Sequence, residues 1–537
     1  MNALTSLSLL LCVPALTAQA APTLGAAFAI GNAAGATDKL PRVAYDFSSD
    51  RYCVAWSADN GTAPATIFAQ VVNGAGSPIG AVIVVSTNAR LGSRPAIANI
   101  SATDKFLVGW TEISGSGLTL TLRAKARSLD AGTGALSTTV EIGAFTHTSS
   151  NPLQDMEIDI GGDRRTGLFG TAQDALVVWT EDRVLSSIVR CRHVQVPSTG
   201  APVPGTTTLL QNGGDVGLPQ VTRHCGFNGR WGVIWPSGAL LAGQPAVRFS
   251  VVDSLGLCST HTLATMTFSV THPSVATADG VNFAAAWSES SIVHVMPFSV
   301  TGVCPATLTS GAIVNPFTTP GRLIEPALDF AQDKYVLACR HRVDGMSTNY
   351  RVLVKNLDPS TCASCGVEWF AETSGAAQES PATCAKESGS TSADDQAIVV
   401  WANGTIRGRR FEATTTSLPV NMGGACGTFG FNDYATYDGH CVLGNDTFSV
   451  SLAGPTSPIL ALIVGFSTAP LPCGPCTLIP SMDLVLPGAS PTVIPIPCLP
   501  GLIGGEIYTQ WLQWRPSGCP ILPDLGTSNT LKFTIVE

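Results

Sequence analysis

Pro41-Arg42-Val43-Ala44-Tyr45, followed after a polar turn by Tyr52-Cys53-Val54-Ala55-Trp56, states a phrase that the chain goes on to repeat. A proline opens one short strand, a turn follows, and a second strand reads aromatic-apolar-apolar-small-Trp. Further copies are Pro95 with Phe106-Leu107-Val108-Gly109-Trp110, Pro152 with Ala175-Leu176-Val177-Val178-Trp179, and Pro219 with Trp231-Gly232-Val233-Ile234-Trp235. Pro273 with Phe283-Ala284-Ala285-Ala286-Trp287, Pro326 with Tyr335-Val336-Leu337-Ala338-Cys339, and Pro381 with Ala397-Ile398-Val399-Val400-Trp401 bring the count to seven. Only the sixth lacks the tryptophan, with Cys339 in its place.

The phrase returns about every 55 residues, which leaves room for four strands per unit and is too short for a sandwich domain of roughly 100 residues. A four-stranded sheet cannot bury its apolar faces alone. Seven of them stacked radially can, so the sequence predicts an all-β fold: a seven-bladed β-propeller over residues 21–418. Residues 21–40 are expected to supply a strand that closes the ring. The repeated phrase resembles the blade of secreted bacterial β-propeller proteins, a resemblance that covers about residues 40–418 and implies a fold without a function.

Beyond the Thr-rich stretch near 414–417 the phrase stops and proline becomes frequent, as in Pro491-Thr492-Val493-Ile494-Pro495-Ile496-Pro497. Strand candidates there suit a small antiparallel β-sandwich over residues 425–537. Leu443-Gly444-Asn445, Ile507-Tyr508-Thr509-Gln510 and Ser528-Asn529-Thr530-Leu531 are similar to a terminal module of secreted planctomycete proteins. Tyr508, Trp511 and Trp514 could form an aromatic sugar platform or simply pack a core.

Residues 1–20 carry an uncharged apolar run ending in Ala18-Gln19-Ala20, the pattern of a secretory signal. Sixteen cysteines fall to fifteen when Cys12 leaves with the signal, and in an exported, turn-rich chain these are expected to be disulfide partners, with at least one left unpaired. Cys473-Gly474-Pro475-Cys476 has the letters of a redox motif, but Thr477-Leu478-Ile479-Pro480 cannot continue as the helix such a motif needs. With 29 basic against 38 acidic residues the net charge is −9, the wrong sign for tracking phosphates, so nucleic acid is not an expected partner. No apolar stretch beyond the signal reaches membrane-helix length. A secreted or cell-surface protein is the expectation.

Candidate site residues come from two patterns. Trp110-Thr111-Glu112, Trp179-Thr180-Glu181 and Trp287-Ser288-Glu289 place a carboxylate two residues beyond the strand tryptophan. In a closed ring Glu112, Glu181 and Glu289 are expected either to share one ligand-binding mouth or to be solvated turn residues. Asp155-Met156-Glu157-Ile158-Asp159 alternates acid and apolar residues, aligning Asp155, Glu157 and Asp159 as a calcium candidate or as a solvated strand face. Ser57-Asp59-Gly61 and Ser128-Asp130-Gly132 resemble the Ser-x-Asp-x-Gly turns of sialidases, but no arginine cluster for a carboxylate is legible. The leading functional expectation is a non-catalytic binding or scaffold protein that presents propeller loops to an extracellular glycan or protein. The alternative is a secreted, glycoside hydrolase-like propeller enzyme, whose acid pair would need a separation of about 5 to 9 Å.

Overall fold

A computed structural model describes residues 25–31, 37–62, 64–116, 119–147, 156–165, 173–182, 187–226, 228–238, 244–277, 279–331, 334–342, 350–372, 377–386, 396–412, 419–425, 434–438, 441, 443–445, 448–453, 460–473, 476–488, 490–514 and 525–536. Among them the only helical elements are two short 3-10 turns, Ser101–Thr103 and Pro500–Leu502, and everything else regular is β-strand. The chain divides into two compact units, Leu24–Ala413 and Thr414–Glu537.

The first unit is a series of antiparallel sheets. The first sheet orders Thr37–Asp46, Arg51–Asp59, Ala65–Asn73 and Pro78–Ala89. The second orders Ala96–Ile100, Lys105–Ser116, Thr119–Asp130 and Val140–His147, and the third Ile158–Gly161, Asp174–Glu181, Ile188–Gln195 and Val203–Asn212. In the fourth, Asp215–Val216 and Gln220–Val221 both pair with Arg230–Gly238, followed by Ala246–Asp253 and Gly256–Thr265. The fifth runs Val270–Thr277, Asn282–Glu289, Ile292–Thr301, Thr307–Ser310, and the sixth Arg322–Ala331, Lys334–Arg342, Arg351–Leu357, Ser364–Phe370. The seventh takes Glu379–Lys386, Gln396–Ala402 and Ile406–Glu412 from the end of the unit and completes itself with Phe28–Gly31 from its beginning.

The first strands touch in a closed cycle. Thr37–Asp46 meets Ala96–Ile100, which meets Ile158–Gly161, then Gln220–Val221, Val270–Thr277, Arg322–Ala331 and Glu379–Lys386, and the last of these returns to Thr37–Asp46. The second strand of each sheet carries the repeated apolar phrase because both of its faces are covered, a condition that produces continuous rather than alternating hydrophobic runs. Val54 and Trp56 point one way, into a cluster with Ala382, Cys384 and Val400 of the seventh sheet. Cys53 and Ala55 point the other way, packing with Phe106, Val108 and Trp110 of the second. Equivalent clusters join second to third, third to fourth, fourth to fifth, fifth to sixth and sixth to seventh. In each case the tryptophan, or Cys339 in the sixth sheet, lies against the preceding sheet. Two glycines make room for it: a Cβ on Gly31 would sit 2.5 Å from the Trp56 ring, and one on Gly143 would sit 2.8 Å from that of Trp179.

Cysteine usage differs from expectation. Cys258 and Cys304 form a disulfide, and Cys365, Cys476 and Cys498 are also disulfide-bonded. Cys53, Cys191, Cys225, Cys339, Cys362, Cys384 and Cys441, however, are free and buried. All but Cys441 serve as small apolar side chains in the clusters between sheets, and burial pushes the Cys191 thiol up to about 12, away from reactivity.

In the second unit Val420–Gly423, Thr530–Thr534, Glu506–Trp514, Leu460–Gly465 and Leu484–Pro487 form one sheet, with Leu525–Thr527 also paired to Glu506–Trp514. Tyr434–Asp438, Ser449–Ala453 and Thr492–Val493 form another, and Thr468–Cys473 pairs with Cys476–Pro480 as a hairpin. Cys473 and Cys476 therefore flank a hairpin turn instead of opening a helix. Trp511 is fully buried and Tyr508 nearly so, its hydroxyl donated to Glu506, which places both in packing roles.

Two expectations for stability follow from this packing. Trp287→Ala removes a fully buried ring between the fourth and fifth sheets and should cost about 3–5 kcal/mol, read from the guanidinium midpoint by circular dichroism. Glu368 is pushed up by burial, but hydrogen bonds from Thr318 and Thr319 and the Lys355 ammonium outweigh this and hold it at about 2. Its contribution is thus fully present above the ordinary carboxylate value of 4.5 and lost as pH falls toward about 2. Glu368→Gln should flatten that acid-side decline relative to the parent protein.

Candidate functional site

In the first, fifth, sixth and seventh sheets the proline of the repeated phrase lies at a kink in the first strand. Pairing slips between Lys39 and Arg42, Thr271 and Ser274, Ile324 and Ala327, and Glu379 and Ala382, so in each case the proline and the residue before it form a bulge. Proline fits here because a bulge residue has no ladder bond to donate. The residue before it turns left-handed, with φ of 54° at Leu40, 50° at His272, 53° at Glu325 and 51° at Ser380. Non-glycine residues in this region are strained, and such strain gathers where side chains must be aimed.

Register fixes the equivalences. Arg42, Ala96, Asp159, Gln220, Ser274, Ala327 and Ala382 each oppose the residue just before the tryptophan, or before Cys339 in the sixth sheet. Ile158 therefore stands where the other sheets have proline; Pro152, assigned that place from the sequence, lies outside the described residues. Counting back two positions gives Leu40, Arg94, Glu157, Leu218, His272, Glu325 and Ser380. Five of these seven, Leu40, Arg94, Glu157, Leu218 and His272, line a single cavity of about 360 Å³ together with Gly92, Thr180, Asp182, Val216 and Gly217.

Arg94, Glu157 and Asp182 carry the charge of the cavity lining, and other charged residues of the same sheets are not part of that lining. Glu157 Oε1 lies 3.4 Å from Arg90 Nη2, and Asp182 accepts the Ser187 hydroxyl at 2.8 Å. Arg42 and Asp159 are 3% and 1% exposed. Asp159 Oδ2 accepts the Val221 N–H at 2.9 Å, while its Oδ1 faces Arg223 Nη1 at 4.0 Å. Glu325 pairs with Arg340 at 2.9 Å, and Arg340 reaches Glu379 at 3.3 Å and lies 3.7 Å over the Tyr350 ring. Arg42 has no ion pair among the described residues, and its buried Nε has no hydrogen-bond partner. Burial, then the charges of Arg94 and Arg223, pull its pKa down against the opposing pull of Asp159 and Glu157. Burial followed by Arg94 likewise lowers His272 to about 4, leaving a neutral imidazole at neutral pH.

The glutamates singled out from the sequence occupy three different sheets. Glu112 accepts the Trp110 indole N–H at 2.9 Å and pairs with Lys125 at 2.8 Å, on the wall of a second recess of about 400 Å³. Glu181 accepts the Trp179 indole at 3.3 Å and Arg190 Nε at 2.9 Å. Glu289 accepts the N–H groups of Thr267 and Phe268 and lies 3.5 Å from His294. The rule behind this is local: Lys125, Arg190 and His294 stand directly across the ladder from Trp110, Trp179 and Trp287. The carboxylate two residues after each tryptophan thus meets the lysine, arginine or histidine opposite it. Of the calcium candidates, Asp155 lies outside the described residues, and Glu157 and Asp159 each face an arginine. Among the described residues the one cluster with metal-ligand spacing is Asp253, Cys258 and Cys304, whose sulfurs are bonded to each other. Asp130, part of a Ser-x-Asp-x-Gly sequence, accepts the N–H groups of Gly132 and Thr133 and closes an outer hairpin.

Arg94 was not legible as a residue of the cavity. The signal was nonetheless present, since it precedes a proline of the repeat: within an otherwise constant phrase the residue before proline changes character from unit to unit.

No family model matches the chain, and no curated protein does. Among solved structures, an unknown function protein from Dyadobacter fermentans is similar over 72% of this chain and 97% of its own, at 11% identity and TM-score 0.42. The NanB sialidase of Streptococcus pneumoniae matches 71% of this chain and 70% of its own, at 8% identity and TM-score 0.36. The Penicillium chrysogenum alpha-L-arabinanase matches 73% and 99%, at 10% identity and TM-score 0.38.

Because Glu181 joins an indole to an arginine inside its own sheet, Glu181→Gln should lower stability by about 1–3 kcal/mol. A chemical-denaturation midpoint unchanged from the parent would contradict that role.

Proposed function

We propose that this chain works outside the cell as a non-catalytic binding protein: a seven-bladed β-propeller, residues 21–418, followed by a β-sandwich, residues 425–537, with the signal at 1–20 removed. The ligand sits in the cavity where the residues preceding the blade prolines come together. The observation that carries this reading is the convergence of Leu40, Arg94, Glu157, Leu218 and His272, one from each of five successive sheets, on one pocket. A repeated scaffold brings equivalent positions to one place, and side chains there vary in chemistry while the packing positions stay apolar. Its size falls in the range of small-molecule sites, about 300–1,000 Å³. The Cys258–Cys304 disulfide fits an oxidising compartment, and no helix among the described residues is long and apolar enough to cross a membrane.

The test is a glycan-array and calorimetric comparison of the full chain with Leu218→Trp, which fills the cavity. Capture by the parent and at least tenfold weaker capture by the variant is the expected result. Equal capture by both would place the ligand elsewhere and overturn the reading. Hydrolysis of a captured glycan by the parent would instead favour the glycoside hydrolase-like alternative.

A further inference from the structure

Asparagine is followed by glycine five times in the chain, at Asn60, Asn73, Asn212, Asn228 and Asn403. Glycine has no side chain to hinder its backbone nitrogen, so in each pair that nitrogen can attack the preceding side-chain amide. The fold gives the five pairs different surroundings. Gly74, Gly213 and Gly229 donate their N–H groups to the carbonyls of Asp50, Ser187 and Gly226 at 2.9, 3.0 and 2.8 Å, and Gly404 forms a backbone bridge with Asp38. Asn60 lies in the exposed turn that follows Arg51–Asp59, where reactive groups are assembled instead. Gly61 N–H donates to Asp59 Oδ1 at 3.0 Å, and Asn60 Oδ1 accepts the Thr62 N–H at 3.2 Å and the Thr62 hydroxyl at 2.6 Å. Asp59 is 5% exposed and paired with Lys39 at 2.9 Å, which fixes its carboxylate in place. A Cβ added to Gly61 would meet nothing within 4 Å, so the turn has room to change shape.

We propose that Asn60 is a self-modification site, at which the turn catalyses closure of Asn60 and Gly61 to a succinimide that water opens to aspartate and isoaspartate. Asp59 takes the proton from Gly61 N, the nitrogen bonds to Asn60 Cγ, and the Cγ–Nδ2 bond breaks as the proton passes to Nδ2, so that ammonia leaves. Water then adds across either C–N bond of the imide. A general base must stand within about 2.6–3.2 Å of the atom it deprotonates, and the 3.0 Å contact of Asp59 meets that requirement. As Cγ becomes tetrahedral, negative charge gathers on Asn60 Oδ1, where both Thr62 donors already point. Two other turns each lack one part. Asp130 accepts the Gly132 and Thr133 N–H groups, but Ala131 stands where the amide is needed. Asn403 Oδ1 accepts the Thr405 hydroxyl at 3.1 Å, but among the described residues no carboxylate meets the Gly404 N–H. Asp59 stands three residues after Trp56, as the cavity residue Asp182 stands three after Trp179, so the new negative charge appears at the cavity's end of the first sheet.

Peptide mapping by mass spectrometry decides it, on the folded full chain held at neutral pH and body temperature and on a parallel sample unfolded in urea. In the folded sample Asn60 should lose ammonia and gain water at least tenfold faster than Asn73, Asn212, Asn228 and Asn403. In urea the five should convert at similar rates, with Asn60 slower than in the folded chain. Thr62→Ala should slow the folded-state conversion of Asn60 at least threefold with its unfolding temperature retained. Asp59→Asn should slow it at least tenfold; if that variant does not fold, Thr62→Ala decides alone. Conversion of Asn60 no faster in the folded chain than in urea would overturn the proposal, because the turn would then contribute nothing beyond the reactivity of any Asn-Gly pair. An unchanged rate in Thr62→Ala would overturn it too, as would an Asn60 that keeps its amide while another pair converts.

Discussion

The burial of one sheet's apolar face against the next is the interaction on which everything else depends. No sheet here has a solvent side of the ordinary kind. Val54 and Trp56 face the seventh sheet while Cys53 and Ala55 face the second, so each sheet's stability is shared with two neighbours. Such an arrangement has no natural end, and an open row would leave two apolar faces in water. The cycle of first-strand contacts removes both ends. Phe28–Gly31 pairing with Ile406–Glu412 ties the two termini of the unit into one sheet, so closure is held by backbone hydrogen bonds as well as by side-chain burial.

Closure also creates the site. Where the first strands approach each other, the residues just before the proline, or before Ile158 in the third sheet, line one cavity from five successive sheets, with a bulge at Leu40 and at His272. The packing positions must stay apolar to keep the sheets together, whereas the bulge positions do not contribute to that packing and are free to differ. Leucine, arginine, glutamate, leucine and histidine in turn make a mouth of mixed charge. Left-handed backbone at Leu40 and His272 is the local cost of aiming two of them.

The repeat was readable because burial on both faces leaves a continuous apolar run that turns and edges cannot imitate. Proline is not indispensable to the phrase: in the third sheet Ile158 takes its place and pairs with Trp179 in unbroken register, with no bulge to favour proline. The glutamates after the tryptophans were visible as a pattern, but their partners Lys125, Arg190 and His294 are set by cross-strand register, which a linear reading does not supply. The cysteines were taken for disulfide partners because composition does not distinguish a bonded sulfur from a buried one. Leu40 and Arg94 are 54 residues apart in sequence and line one cavity only because their sheets lie side by side.

The most direct test of the closed ring uses one pair of cysteines. Ala29 and Arg407 are register partners across the strand pair that completes the seventh sheet. With Ala29→Cys and Arg407→Cys introduced together, mild oxidation followed by peptide mapping under non-reducing conditions should recover a single intramolecular 29–407 cross-link in the folded monomer. Recovery of the two cysteines unlinked, or linked only between molecules, would mean that the ring is open, and the shared mouth would have no basis.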